Sequence, residues 1–394
     1  MPHAFDRREF VLGSLWGLGG LAARPLGARP SPGPARALVL IQLTGGNDGL
    51  STLVPFDHGG YAGVRKATRI GAGEVLRLDA RVGLHPRLVQ LRERYEQGRV
   101  ALFEGVGYPQ PNRSHFRSLD IWHAADARGR ELGTGWIGRC VERLEEPVAH
   151  TVVHFGSRPP FALYAARRAP LCLTPGLLEA TAPAHRETPR MFAVESSDSP
   201  ENPMLEYLQT LLAETRTSIA ILREALARRA PKGDYPSSEL AYGLRRAAAL
   251  LHAELGVRVV SLELDGFDTH RDQRGRHDRL MGELDRSLHA FLEDLQQSET
   301  GREALVLVFS EFGRRVAENA SGGTDHGAAG LCLALGARVR GGLYGSAPDL
   351  DALEDGDLSF TTDFRSLYAR CIEHVFGLEP AVVLGASFPA LDFV

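Results

Sequence analysis

Cysteine is scarce in this chain: Cys140, Cys172, Cys332 and Cys371 are far apart and never form CxxC. That spacing argues against a disulfide-built scaffold and against a thiolate zinc site. Cys332 lies in the apolar run LCLALGA and reads as a core residue; the pairing state of the four is left open. After the leader, no apolar stretch reaches the roughly 20 residues that a membrane-spanning helix needs. An excess of one charge is also missing. The net charge is -4, so nothing favours nucleic acid as a partner. There is no GxSxG elbow of the ordinary α/β-hydrolases. There is no GxxxxGKS/T phosphate loop and no HExxH zinc motif. No internal repeat occurs.

What is present begins with MPHAFDRREFVLGSLWGLGGLAARPLGARPSPGPARA. Arg7 and Arg8 precede a short, Gly-rich apolar core and a tail rich in Ala and Pro. A charged start, a short apolar core and a small-residue end make a processing signal. The paired arginines point to the twin-arginine route. Residues 1–37 are therefore expected to be a signal peptide and linker. The expected partner is the twin-arginine translocase, the expected location the periplasm or cell surface, with no stable membrane span after processing. That route carries folded proteins, which suits a body whose metal is inserted before export.

Residues 38–394 read as one large α/β body, and a hydrophobic fraction of 43% suits a folded core. Residues 38–43, LVLIQL, form a continuous apolar run of strand length, as buried parallel strands do. Further strands are expected at VALFEGVGY, HTVVHFG, GVRVVSLEL, LVLVFS and LCLALGA. Helices are expected to start at Ser114 and to cover residues 203–229, 237–255, 277–297 and 364–376. Leu280, Leu284, Leu288, Phe291 and Leu295 mark one apolar face of the helix over 277–297. Residues 156–236, with RRAP, TPG and SSDSPENP, read as a helical insertion forming a cap. Alternating strands and helices predict a doubly wound, mostly parallel sheet. In such sheets ligands bind beyond the carboxyl ends of the strands.

Those ends carry ligand-type side chains. Asn47 and Asp48 follow the first strand, and Asn112, Arg113, Ser114 and His115 follow the second. Asp265, Asp268 and His270 follow GVRVVSLEL. Ser310, Glu311 and Arg314 follow LVLVFS, and a later loop, GGTDHG, brings Asp325 and His326. Carboxylate with imidazole suits zinc, iron or manganese. Each residue has an ordinary alternative. Asp48 suits a turn, Glu311 an ion pair with Arg314 or Arg315, and Ser114 a helix N-cap. His85, His115, His123 and His277 read as structural.

The runs LIQLTGGNDGLSTLVP, VGYPQPNRSHFRSLDIWHAA, GVRVVSLELDGFDTHRDQ and VFSEFGRRVAENASGGTDHGAAG resemble a twin-arginine-exported bacterial family, the domain-of-unknown-function family 1501. The resemblance spans essentially the whole chain after the leader. That family is grouped by fold with the alkaline phosphatase and sulfatase superfamily. The resemblance therefore implies an alkaline-phosphatase-like core with a divalent metal ion. It implies metal ligation by Asp48, Asp268, His270, Glu311 and His326, to which Asp325 of the Asp-His pair is added. It implies Ser114 as the nucleophile, with Ser118 one turn on. An Asp-His pair expected after the strand LVLVFS falls on Glu311 and Phe312, and Phe312 has no ligand atom.

The first reading is thus an exported metal-dependent hydrolase of phosphate or sulfate esters, small or polymeric, with zinc, manganese or iron. Asn47, Asn112, Arg113 and Arg314 are its candidate substrate-binding residues. A second reading is a non-catalytic extracytoplasmic binding or assembly protein on the same scaffold. A third, metal-free serine hydrolase needs a histidine about 3 Å from the Ser114 hydroxyl.

Overall fold

The structure, a computed structural model, describes residues 36–394 apart from 129, 131–132, 146, 180–202, 229–231 and 390. The expected leader lies outside the described residues, save Arg36 and Ala37. The first strands in chain order are β1 (Leu38–Thr44), β2 (Leu53–Val54), β3 (Leu76–Arg77), β4 (Gly83–Leu84) and β5 (Val100–Gly107). Then come β6 (Val152–Phe155), β7 (Leu171–Leu173), β8 (Val259–Asp265) and β9 (Leu305–Phe309). The last are β10 (Arg314–Glu318), β11 (Thr324–His326), β12 (Gly330–Leu335), β13 (Gly342–Tyr344) and β14 (Thr362–Asp363).

The main sheet runs β13-β5-β12-β9-β1-β8-β6-β7, with β14 pairing beside β13 along β5. β1 pairs parallel with β8 and β9, and β6 pairs parallel with β7 and β8. Only β12 runs antiparallel to its neighbours β5 and β9. This is a mixed, mostly parallel sheet with flanking helices. The run LCLALGA was expected as one more strand of a mostly parallel sheet. Its reversal follows from the β10–β11 hairpin, which turns the chain at the carboxyl edge of β9 and starts β12 from that edge. The GGTDHG segment, expected as a loop, supplies β11 itself.

Burial on both faces explains the apolar strands. In β1, Val39, Ile41 and Leu43 join one core cluster, while Leu38 and Leu40 join the other. The alternation is the two-residue period of a strand. The first cluster packs under the helices Glu239–His252 and Gln273–Leu295. The second packs under His115–Ala124, Trp136–Val141 and Phe364–Cys371. Each large aliphatic side chain so buried contributes about 1.5–3 kcal/mol. Leu280, Leu284, Leu288, Phe291 and Leu295 do lie buried on one face of the long helix, which starts four residues before the expected 277.

Within residues 156–236, expected as a cap, β7 is the edge strand of the main sheet. The helix Pro203–Arg228 lays Leu222 into the first core cluster and sets Ser218 Oγ 2.9 Å from His150 Nδ1. No described helix is long and apolar enough to cross a membrane. All four cysteines are free thiols, three of them buried.

Candidate metal centre

The carboxyl ends of β1, β8 and β9 lie side by side. Two glycines after β1 let them approach. Gly45 has φ +115°, and a Cβ there would sit 2.3 Å from the Asp268 amide nitrogen. Gly46 has φ +79°, and its Cβ would meet the Phe312 ring at 2.3 Å. Only glycine takes these angles in this space without strain. The gap they leave admits Arg314, whose buried guanidinium donates to the carbonyls of Gly45, Gly46, Phe267 and Thr324. It also donates to Asp268 Oδ1 at 2.7 Å.

Around that same Asp268 oxygen stand three imidazoles. Nε2 of His270 is 3.1 Å away, that of His326 3.2 Å and that of His115 3.6 Å. His115 opens the helix after β5, His270 follows β8, and His326 ends β11. One nitrogen each from His115 and His326 and one Asp268 oxygen lie within 4.8 Å of one another. His270 Nε2 lies 2.9 Å from His326 Nε2.

Each ring has an acceptor behind it. Nδ1 of His115 faces Glu311 Oε1 at 2.8 Å, and Nδ1 of His270 faces Asp325 Oδ1 at 3.0 Å. Nδ1 of His326 faces the Arg113 carbonyl at 2.7 Å. An acceptor at Nδ1 assigns the proton to Nδ1 in the neutral ring. All three Nε2 lone pairs then point at one another and at a carboxylate. Two lone pairs 2.9 Å apart repel unless a cation lies between them. Carboxylate or carbonyl behind a ligating imidazole is also how metal-bound histidines are held. Tetrahedral zinc bonds of about 2.0–2.2 Å separate ligand atoms by roughly 3.3–3.5 Å. The observed separations to Asp268 bracket that range. The donor set therefore fits a divalent ion.

The charges agree. The carboxyl of Asp268 is half exposed, at 51%. Its partial burial acts to raise its pKa, yet the Arg314 guanidinium, by its hydrogen bond and its charge, outweighs this and holds it at about 2. Burial pushes His326 down, so it stays neutral and ready to ligate. The Glu311 hydrogen bond pushes His115 up. Glu311 is fully buried, which acts to raise it, but His115 and the Gly45 and Ser310 hydrogen bonds keep it low.

The expected site residues thus divide. Asp268, His270 and His326 face the common centre. Glu311 and Asp325 stand behind two of the rings; Asn319 Nδ2 also donates to Asp325. Asp48 is elsewhere. Its carboxylate takes Arg65 at 2.5 and 3.0 Å, Ser51 at 2.6 Å and Gln273 at 2.5 Å, all buried. Both oxygens already take donors in an enclosed site, so an ion there would have to displace the Arg65 guanidinium. Desolvation would raise it, but Arg65 holds it at about 2.

Asn47 is buried too. Its amide group bonds Thr52 and His277, a structural use. Arg113 pairs with Asp357 at 2.9 Å, and Asn112 accepts from the Ser114 amide. Arg314 is enclosed and holds Asp268 rather than facing solvent. Ser114 is the N-cap of helix His115–Ala124 without a side-chain cap bond, and it is exposed. No described histidine bonds its hydroxyl, as the metal-free serine hydrolase would need. Ser118 is buried and donates to the Glu311 carbonyl at 2.5 Å.

His115 was read as structural. Its sequence signal is its place one residue after Ser114, but its partner Glu311 is 196 positions on. Phe312, where an imidazole was expected, packs 4.9 Å from the His115 ring and 4.7 Å from that of His326. It is the wall against which two candidate ligands rest. His123 and His277 are buried and neutral, desolvation holding them at about 4 and about 3.

Among solved structures, a protein in the alkaline phosphatase superfamily from Vibrio parahaemolyticus is similar, with 9% identity and a TM-score of 0.43 over 91% of this chain and 72% of that one. A 2-O GAG sulfatase is similar at 9% identity and a TM-score of 0.38, over 90% of this chain and 72% of that one. No curated protein matches the chain as a relative. The family model described as a protein of unknown function, DUF1501, matches residues 102–382, well over half of the sequence, and the chain belongs to that family.

Proposed function

We propose that this protein is an exported hydrolase of phosphate or sulfate esters that works with one divalent metal ion. The observation that carries the reading is the convergence of three imidazole Nε2 atoms on one Asp268 oxygen, each ring held from behind. His115, His326 and Asp268 would hold the ion, with His270 beside them; zinc, manganese and iron all suit nitrogen and oxygen donors. When bound, such an ion polarises an ester oxygen and offsets charge that builds in the transition state.

The chain's own residues do the rest. Ser114 presents a free hydroxyl at the start of the helix whose first residue is His115. Its oxygen would attack the phosphorus or sulfur and break the bond to the ester oxygen, the alcohol leaving with the proton the hydroxyl gives up. Water would then cleave the phospho- or sulfo-serine to free phosphate or sulfate and the serine. Arg314 fixes the Asp268 carboxylate, so the carboxylate spends no free energy on orientation. Glu311 and Asp325 orient two rings and draw the proton of the neutral ring to Nδ1, so that Nε2 can ligate. Twin-arginine export is part of the proposal, since that route moves the body already folded and loaded.

One feature favours a second reading, a non-catalytic binding or assembly protein. The two carboxylates after β1 and β8 are both paired with buried guanidinium groups. The deciding experiment is metal analysis of the purified full chain, followed by aryl phosphate and aryl sulfate assays. The hydrolase reading expects bound metal and turnover of one ester class, both lost in His326→Ala. A chain that takes up zinc, manganese or iron but turns over neither ester would leave the second reading. A chain that takes up none of the three ions contradicts the metal centre itself.

A further inference from the structure

A separate cavity opens where β5 and the start of β12 face residues 49–53 and the loop 347–358. Its walls are mostly apolar and include Leu50, Leu53, Val82, Leu331, Leu350 and Leu358. A buried acid, Glu104, and the enclosed Arg314 interrupt them. In β5, Val100 and Leu102 serve one core cluster and Ala101 and Phe103 the other. Two-residue alternation puts Glu104 on the side of Leu102, among Leu53, Val82 and Leu331.

The Glu104 residue is 8% exposed, and no described residue makes a hydrogen bond or ion pair with its carboxyl. Burial raises its pKa; the charge of Arg81 opposes this and that of Asp79 adds to it. Arg81 is turned to Asp79, at 3.6 Å. The next residue, Gly105, has φ +59°, and the register of β12 against β5 shifts between Gly330 and Cys332. Bulges of this kind re-aim side chains and gather at binding sites. The carboxyl of Glu104 is reached from the cavity rather than sealed in the interior, and an apolar cavity with such a polar group is the usual form of a small-molecule site.

We propose that this cavity binds a small amphiphile, an apolar body of about six to eight carbons bearing one primary ammonium group that meets Glu104. The apolar walls take the body, and the ammonium supplies the donors that Glu104 lacks. Asp57, His58 and Arg81 line the same cavity and add polar groups to its wall. The cavity shares one wall residue, Arg314, with the metal centre, but the proposed contact is made by Glu104 alone.

The test is calorimetric titration of the full chain, chelator-treated so that an amine cannot bind through a metal ion, with hexylammonium, hexan-1-ol and hexanoate. Hexylammonium is expected to bind about tenfold tighter than hexan-1-ol and tighter still than hexanoate. Glu104→Gln keeps the shape, and is expected to weaken hexylammonium about tenfold while leaving hexan-1-ol within a factor of about two. Leu331→Trp fills the cavity and is expected to abolish binding of both, with the melting curve confirming a folded chain. Absence of hexylammonium binding overturns the proposal. So does equal affinity for hexanoate, or full affinity for hexylammonium in Glu104→Gln.

Discussion

Two carboxylates at neighbouring strand ends have opposite surroundings. Asp48 is sealed, 1% exposed, against an Arg65 side chain that is itself 0% exposed. Asp268 is half open and ringed by imidazoles, with Arg314 on only one oxygen. Both are held at about 2. The pKa therefore does not separate a ligand from a structural acid. What separates them is whether the counter-charge can leave. A guanidinium keeps its proton under all ordinary conditions, and that of Arg65 engages both oxygens of Asp48. An imidazole with its proton on the far nitrogen offers lone pairs of its own.

The largest expected effect breaks the sealed side. Asp48→Ala strands the Arg65 charge in the interior and should cost about 3–5 kcal/mol in urea unfolding. Adding Arg65→Met should recover most of that. Metal content per folded molecule should not change. His326→Ala is the mirror case. It should abolish metal uptake while costing the chelator-treated chain only about 1 kcal/mol, the value of its bond to the Arg113 carbonyl.

Smaller changes sharpen the comparison. Glu311→Gln or Asp325→Asn should weaken metal affinity by about 10–100-fold, because each removes a carboxylate behind a ring. Competition with a chromophoric chelator reads this directly. The smallest effect concerns the metal-free chain. His115 should titrate above the usual histidine value and His326 below it, measured by imidazole NMR. The sign follows from the partners: the Glu311 hydrogen bond favours the charged form of His115, while burial disfavours that of His326. The His115–Glu311 pair accordingly stabilises the metal-free fold fully below the ordinary histidine pKa, and that part is lost as pH rises through the raised value. Glu311→Gln should bring His115 down.

Much of the scaffold is legible in the sequence, because LVLIQL, LVLVFS and the spacing of Leu280 to Leu295 are local patterns. The direction of β12 is not, since LCLALGA reads the same either way and the hairpin before it decides. At the site, DTH and TDHG reveal Asp268, His270 and His326 by composition. The fate of Asp48 turns on Arg65, 17 positions on and unremarkable in YAGVRKAT. His115 likewise gains its meaning only when β9 brings Glu311 behind it. Long-range partners decide both, and no local period encodes them.

One divalent ion is proposed to sit among His115, Asp268 and His326. X-ray fluorescence with anomalous scattering from the metal-loaded full chain tests it most directly. The expected result is one ion per chain, within bonding distance of the Nε2 atoms of His115 and His326 and an oxygen of Asp268. An ion bound at Asp48 with Arg65 displaced, or no ion at the three-residue cluster, would contradict it.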